Sequence, residues 1–242
     1  MKFVFDIHNT MGRFWNENIY KEKVQKLCKK YGINVLCEVP IKVTFKDFYK
    51  YYFLDLLIEN SAIYELKTVD SLSKKDEQQL INYLLLINLN HGKLVNFKTS
   101  SVESRFCSNR LSLNIRKNYC FDDRYWDDSL QSSKPLKQIL KNLLNDWGAF
   151  LDYNLYKEAI IHFLGGKDKV IKNINVIDRD KIIGQQKFIL INECTVLIFS
   201  GISKYYKNYA CQISEMLKYT NLKYAQWINF NNNEIKLTTI KK

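Results

Sequence analysis

Residues 55–67 read DLLIENSAIYELK. Asp55, Glu65 and Lys67 stand here on otherwise apolar sequence, with YYFL (51–54) before and AIY (62–64) inside. Apolar runs on either side of Glu59-Asn60-Ser61 predict two short strands joined by a turn. Side chains two apart on a strand share a face, so Glu65 and Lys67 are neighbours and Leu66 points away. Folding the first strand back beside the second brings Asp55 within reach of that pair. A salt bridge at a sheet edge is the ordinary reading of such charges. Two carboxylates and an ammonium also fit a Mg²⁺ centre, which needs only one or two carboxylates beside waters and a substrate phosphate. The lysine would then orient or deprotonate a water, or steady charge developing on phosphate.

Outward from that hairpin the periodicity alternates between helix and strand. Lys2–Met11 has helical apolar spacing and stops at Gly12. Asn16–Tyr31 predicts a second helix, with Ile19, Val24 and Leu27 inward, lysines outward and Gly32 as a left-handed stop. Strands are expected at 35–39 and 41–45, around Pro40. Lys74–Leu89 predicts a helix, followed by a turn at His91-Gly92 and a strand at 93–97. This order gives an α/β sheet flanked by helices. Residues 98–133 have the least pattern and are read as a connector with a strand or two.

The chain has 242 residues, 46% hydrophobic and 14% aromatic, enough for a large core in one large or two small domains. The aromatics are read as mostly core by periodicity, and no base-stacking platform is claimed from them. The formal charge of +12 favours a polyanionic partner, nucleic acid ahead of a membrane. Residues 1–106 carry 16 Lys/Arg against 12 Asp/Glu, and residues 107–242 carry 21 against 13. The six cysteines form no CxxC pair, which argues against zinc or iron–sulfur ligation and predicts reduced thiols in a cytoplasmic protein. The longest apolar run, near Tyr83–Leu89, is too short to span a membrane.

The first half has echoes in the second. Gly148 and Tyr156 repeat the spacing of Gly12 and Tyr20, each followed by Lys-Glu. QISEMLKYTNLKYAQWINF (212–230) echoes QLINYLLLINLNHGKLVNF (79–97), and Phe188–Ser200 is an apolar hairpin like the central one. Offsets of 136 and 133 residues in the same order point to an internal duplication. The copies differ in chemistry. Tyr153 stands opposite Glu17, the apolar Phe188-Ile189-Leu190 opposite Asp55, Ile198 and Ser200 opposite Glu65 and Lys67, and Met216 opposite Tyr83. Only Gln212 keeps its counterpart, Gln79. Disappearance of the charged set as a group is expected of residues that act together.

Glu17 and Tyr20 share a helix face, as do Gln79 and Tyr83. The candidate site is therefore Glu17, Asp55, Glu65, Lys67, Gln79 and Tyr83. Asp55 and Glu65 would hold Mg²⁺ or Mn²⁺, with Glu17 as a further ligand or a water-bridged base. Lys67 would position the attacking water or stabilise charge on phosphorus, and Gln79 and Tyr83 would bind the phosphate or orient Lys67. His8, one turn before Gly12, is a weaker candidate ligand whose ordinary role is packing or capping.

At these residues the chain resembles the GxxExxY family of the PD-(D/E)XK nuclease superfamily. The resemblance lies in IHNTMG (7–12), ENIYKEKV (17–24), FLDLLIEN (53–60), IYELKTVDSL (63–72), EQQLINYL (77–84) and LVNF (94–97). Phe14 stands where the first glycine of the naming motif belongs. YKEAIIHFLGG (156–166) and QWINF (226–230) are similar to the tail of longer members. The resemblance implies a restriction-endonuclease-like mixed sheet, metal ligation by Glu17, Asp55 and Glu65, catalysis by Lys67, and support from Gln79 and Tyr83. The expected organisation is a nuclease domain at 1–106, a connector at 107–133 and a degenerate copy at 134–242, packed as a tandem pseudo-dimer. The expected activity is metal-dependent hydrolysis of nucleic acid, DNA ahead of RNA, with a homo-oligomer or a partner protein left open. A catalytically silent nucleic-acid-binding scaffold, or a subunit that cuts only within a complex, is the alternative.

Overall fold

The computed structural model describes residues 1–242 and divides into two compact units. One is Met1–Thr44 with Tyr49–Leu113, and the other is Phe45–Phe48 with Asn114–Lys242. The protein is mixed α/β, with eight helices and two mixed sheets.

The elements of the first sheet and its helices are α1 (Lys2–Met11), α2 (Glu17–Lys30), β1 (Val35–Phe45), β2 (Phe48–Ile58), β3 (Ala62–Lys67), α3 (Lys74–Leu86), β4 (His91–Asn96) and β5 (Glu103–Ser108). The sheet order is β1-β2-β3-β4-β5. β2 and β3 are antiparallel, β3 and β4 parallel, and β4 and β5 antiparallel. A parallel pair needs a crossover, and α3 supplies it. Asn16 caps α2 by accepting from the Ile19 N–H, and Ser73 with Asp76 forms a capping box on α3. The turn between β2 and β3 is where the sequence puts it, with Glu59 and Asn60 both at positive φ. α1 and α2 bury Val4, Ile7, Tyr20 and Val24 against Leu56, Leu66 and Phe97 of the sheet.

Two local expectations change. The residues around Pro40 form one strand, because β1 is the sheet's edge and the missing N–H breaks no ladder there. α3 stops at Leu86, Asn88 takes positive φ, and His91-Gly92 already lies on β4. Gly92 is a packing residue, not a turn residue: an added Cβ would lie 2.8 Å from a Leu80 methyl.

The second sheet and its helices comprise α4 (Leu113–Lys117), β6 (Cys120–Tyr125), α5 (Ser133–Trp147), α6 (Tyr153–Phe163), α7 (Lys167–Val170), β7 (Ile171–Asp178), β8 (Lys181–Asn192), β9 (Thr195–Ser200), α8 (Tyr206–Lys218), β10 (Tyr224–Asn231) and β11 (Glu234–Lys241). The strand order is β6-β11-β10-β9-β8-β7. Residues 98–133 thus hold β5, α4 and β6, more regular structure than their sequence suggests.

Apart from β6, the second sheet has the neighbour order of the first. β8–β9, β9–β10 and β10–β11 are antiparallel, parallel and antiparallel in turn. Registers agree as well: Leu56 pairs Tyr64 and Ile189 pairs Leu197, while Lys67 pairs Asn96 and Ser200 pairs Asn229. The Tyr20 hydroxyl donates to the Gly12 carbonyl at 2.7 Å, and its ring stacks 4.2 Å from Phe97. The Tyr156 hydroxyl donates to the Gly148 carbonyl, and its ring stacks 5.0 Å from Phe230. Asn96 bonds both the N–H and the carbonyl of Val69 (3.1 and 2.7 Å), as Asn229 does with Ile202 (2.9 and 3.0 Å). Each bond satisfies a polar group that would be costly to bury alone.

Gly12 and Gly148 both sit at φ 74°, which disfavours any side chain. A Cβ on Gly148 would also meet the Arg116 Cβ at 2.7 Å, whereas Gly12 has open space. Gly148→Ala is expected to cost about 2–4 kcal/mol and Gly12→Ala about 1–2 kcal/mol, read from urea unfolding midpoints.

Candidate active site

β2 pairs with β3 only from Leu56 to Ile58. Upstream of Leu56 the strands part, and Asp55 sits at the opening. Its carboxylate is buried and held on both oxygens: Oδ2 accepts the Leu66 N–H at 2.8 Å, and Oδ1 lies 2.7 Å from Lys21 Nζ. Lys21 also bonds the Glu38 carboxylate. Periodicity turns Lys21 outward with the other α2 lysines, but it is 7% exposed and faces the site. Burial alone would lower its pKa; Asp55 and Glu38 overcome that and hold the ammonium above the usual lysine range.

Glu65 and Lys67 are neighbours, as their spacing requires. Lys67 Nζ lies 3.0 Å from Glu65 Oε1 and 3.3 Å from Gln79 Oε1. Gln79 Nε2 donates to the same Glu65 oxygen at 3.0 Å and to the Tyr83 hydroxyl at 2.9 Å. The Tyr83 ring rests edge-on against Tyr52, 6.0 Å between centroids. Glu65, Lys67, Gln79 and Tyr83 are therefore one hydrogen-bonded chain from β3 to α3. Asn96 acts from behind it, fixing the backbone at Val69, two residues past Lys67.

Glu65 is the most perturbed member. Burial pushes its carboxyl up to about 7; Asp55 and Glu17 add to the rise and Lys67 opposes it. Its Oε2 is buried without a hydrogen-bond partner. Glu17, the first residue of α2, is raised by burial and by the Asp55 charge, with Lys67 and Lys21 pulling the other way. For Lys67, burial lowers the pKa, and Glu65, Glu17 and Asp55 more than restore it. Lys67 is thus a standing cation, suited to holding negative oxygen and unsuited to taking a proton from water.

His8 lies elsewhere: it is buried, with Nε2 3.0 Å from the Thr99 carbonyl. No three His, Cys, Asp or Glu side chains stand close enough to hold a metal ion by themselves. Two carboxylates with waters and a phosphate remain sufficient for Mg²⁺. The unpartnered Glu65 oxygen beside Asp55 is a ligand atom such an ion could use. The sequence by itself does not single out Lys21, Glu38 or Asn96. Lys21 carries a signal, since it stands four residues after Glu17 on α2 and so shares its face.

In the second unit a cleft of about 700 Å³ lies between α6, β8, β9 and α8. Phe188, Ile198 and Met216 line it at the places that Asp55, Glu65 and Tyr83 hold in the first unit, with Lys157, Lys167 and Lys187 among its other walls. It has no acidic pair to hold a cation.

The family model of the PD-(D/E)XK nuclease superfamily matches residues 1–107, the part that carries this site. Nucleases of that superfamily generally use divalent metals. No curated protein matches the chain. Among solved structures the chain is similar to the crystal structure of SSO0001, at 20% identity and a TM-score of 0.33, over 39% of this chain and 50% of that one. The chain thus spans about half the length of that protein. No helix is long and apolar enough to cross a membrane.

Proposed function

We propose that the protein is a metal-dependent nuclease that hydrolyses phosphodiester bonds of nucleic acid, DNA ahead of RNA. The observation that carries this reading is the buried chain Glu65–Lys67–Gln79–Tyr83, set beside Asp55 with one Glu65 oxygen unpartnered. Asp55 and Glu65 would hold Mg²⁺ or Mn²⁺, and Glu17 would bind through a water. His8 is left out of this set because its Nε2 faces a backbone carbonyl. The ion would polarise the phosphate and lower the pKa of a bound water. Lys67 supplies fixed positive charge where the phosphate becomes more negative. Gln79 holds Lys67 and Glu65 in one orientation, and Tyr83 holds Gln79. Lys21 must yield Asp55 Oδ1 when an ion binds there, and Glu38 gives it a second partner.

The second unit is read as a degenerate copy within a tandem pseudo-dimer. Its strand order, its register and the paired Tyr–Gly, Tyr–Phe and Asn–backbone contacts support that reading. The finer likeness to the GxxExxY family rests on the quoted motifs alone.

The test is cleavage of single- and double-stranded DNA and RNA with Mg²⁺, Mn²⁺ or EDTA. Cutting that requires the cation is the expected result. No cutting of any substrate under any of these conditions removes the reading. Lys157, Lys167 and Lys187 enter no ion pair and are expected to help grip the backbone. Neutralising them should flatten the salt dependence of duplex binding by about 0.9 in log–log slope for each phosphate left without a cation.

A further inference from the structure

One row on β2 is not used by the site described above. Tyr49, Tyr51 and Phe53 alternate along the strand and are 63%, 47% and 52% exposed. The Tyr49 and Tyr51 rings meet edge-on at 5.9 Å, and Tyr51 and Phe53 lie 6.4 Å apart and nearly parallel, at 25°. Lys42 of β1 sits over the first two rings, its Nζ 5.4 and 5.8 Å from their centroids, and has no carboxylate partner. Strand propensity accounts for aromatics on β2. It does not account for three of them facing water in sequence, since a half-buried strand normally turns polar residues outward. Contiguous exposed apolar surface marks a binding face.

The position of the row indicates what binds. Asp55 follows Phe53 by two residues on the same strand, so the row ends at the opening of the carboxylate site. Its one cation suits a polyanion and its rings suit flat partners. We infer that Tyr49, Tyr51 and Phe53 form a stacking platform for unpaired nucleotides, with Lys42 against their phosphates. Every base has a π-face, so such a platform tolerates any sequence. A paired base has its faces covered by its neighbours and cannot use it. The substrate class is therefore single-stranded nucleic acid, or an unwound end, led along β2 towards Asp55. The inference rests on the nuclease reading for what happens at Asp55, but not for binding.

The experiment measures fluorescence anisotropy of labelled oligothymidylate, oligouridylate and a blunt DNA duplex in EDTA, where nothing is cut. Tyr51→Ala is expected to bind the single strands about 10-fold more weakly and the duplex within about twofold of wild type. Tyr51→Phe keeps the ring and should restore single-strand binding. Tyr49→Ala, at the most exposed of the three rings, repeats the measurement should Tyr51→Ala unfold, as read by circular dichroism. Single-strand binding unchanged in both alanine variants overturns the inference. So does an equal weakening on duplex and single strand, or a wild type that binds no single strand, which would leave a protein as the occupant of this face. Ring-dependent binding without cleavage in Mg²⁺ would remove the nuclease reading and leave the platform. Cleavage with ring-independent binding would do the reverse.

Discussion

Lys67→Ala is expected to lower the single-turnover cleavage rate by about 100- to 1,000-fold, the scale for removing one positioned electrostatic interaction with a transition state. The ammonium is held by Glu65 and Gln79 and kept charged by three surrounding carboxylates. It needs no reorganisation when charge builds on the phosphate, and water entering its place cannot reproduce that. Lys67 is not among the proposed ligands, so Mn²⁺ affinity by calorimetry should be kept or strengthened once a neighbouring cation is gone. A large fall in rate with retained metal binding is the signature of this role. An equal fall in both would assign Lys67 to building the site, and an unchanged rate would remove it from the chemistry. Lys67→Arg restores charge but not a compact ammonium, and should recover only part of the rate.

The second large effect is on stability. Glu65 titrates at about 7 in the folded protein, against an ordinary glutamate value of 4.5. Between those values the folded state binds the proton and the unfolded state releases it, so stability falls as pH rises from 4.5 to about 7. The protonated form contributes fully below that window, and the difference is complete above it. It amounts to on the order of 3 kcal/mol, or about 10 °C in Tm for a chain of this size. Thermal melts in EDTA should therefore show a lower Tm at about pH 8 than at about pH 5.5. Glu65→Gln, which never ionises, should flatten that slope. A cation that binds the ionised carboxylate should also offset the fall, so Mn²⁺ is expected to raise Tm more at about pH 8 than at about pH 5.5. A Tm that rises with pH in EDTA would contradict the assignment of Glu65 as a carboxyl whose pKa is raised by burial.

Much of the site is legible in the spacing because its contacts are local. Glu65 and Lys67 differ by two on a strand, Gln79 and Tyr83 by four on a helix, and both pairs are hydrogen-bonded within their elements or across one crossover. What spacing cannot give is which face of an element turns inward. α2 carries lysines at 21, 23, 26, 29 and 30. Only Lys21 meets a buried carboxylate, and that carboxylate comes from a strand 34 residues later. The aromatics are ambiguous for the same reason. Alternation marks Tyr49, Tyr51 and Phe53 as one face of a strand, and hydrophobicity assigns that face to the core, yet the rings are exposed. Phe14, beside the start of α2, is likewise exposed. His91-Gly92 reads as a turn because glycine usually marks one. Here the missing side chain makes room for Leu80 instead.

Pro40 sits in the middle of β1, at the margin of its sheet, and Glu38 nearby takes a left-handed backbone with φ 51°. A margin interrupted in this way offers no continuous row of donors for an incoming strand. Assembly with another chain by sheet extension is therefore disfavoured at β1. That keeps the hairpin bearing the aromatic row from being sealed under a neighbouring subunit by the commonest form of β-sheet self-association.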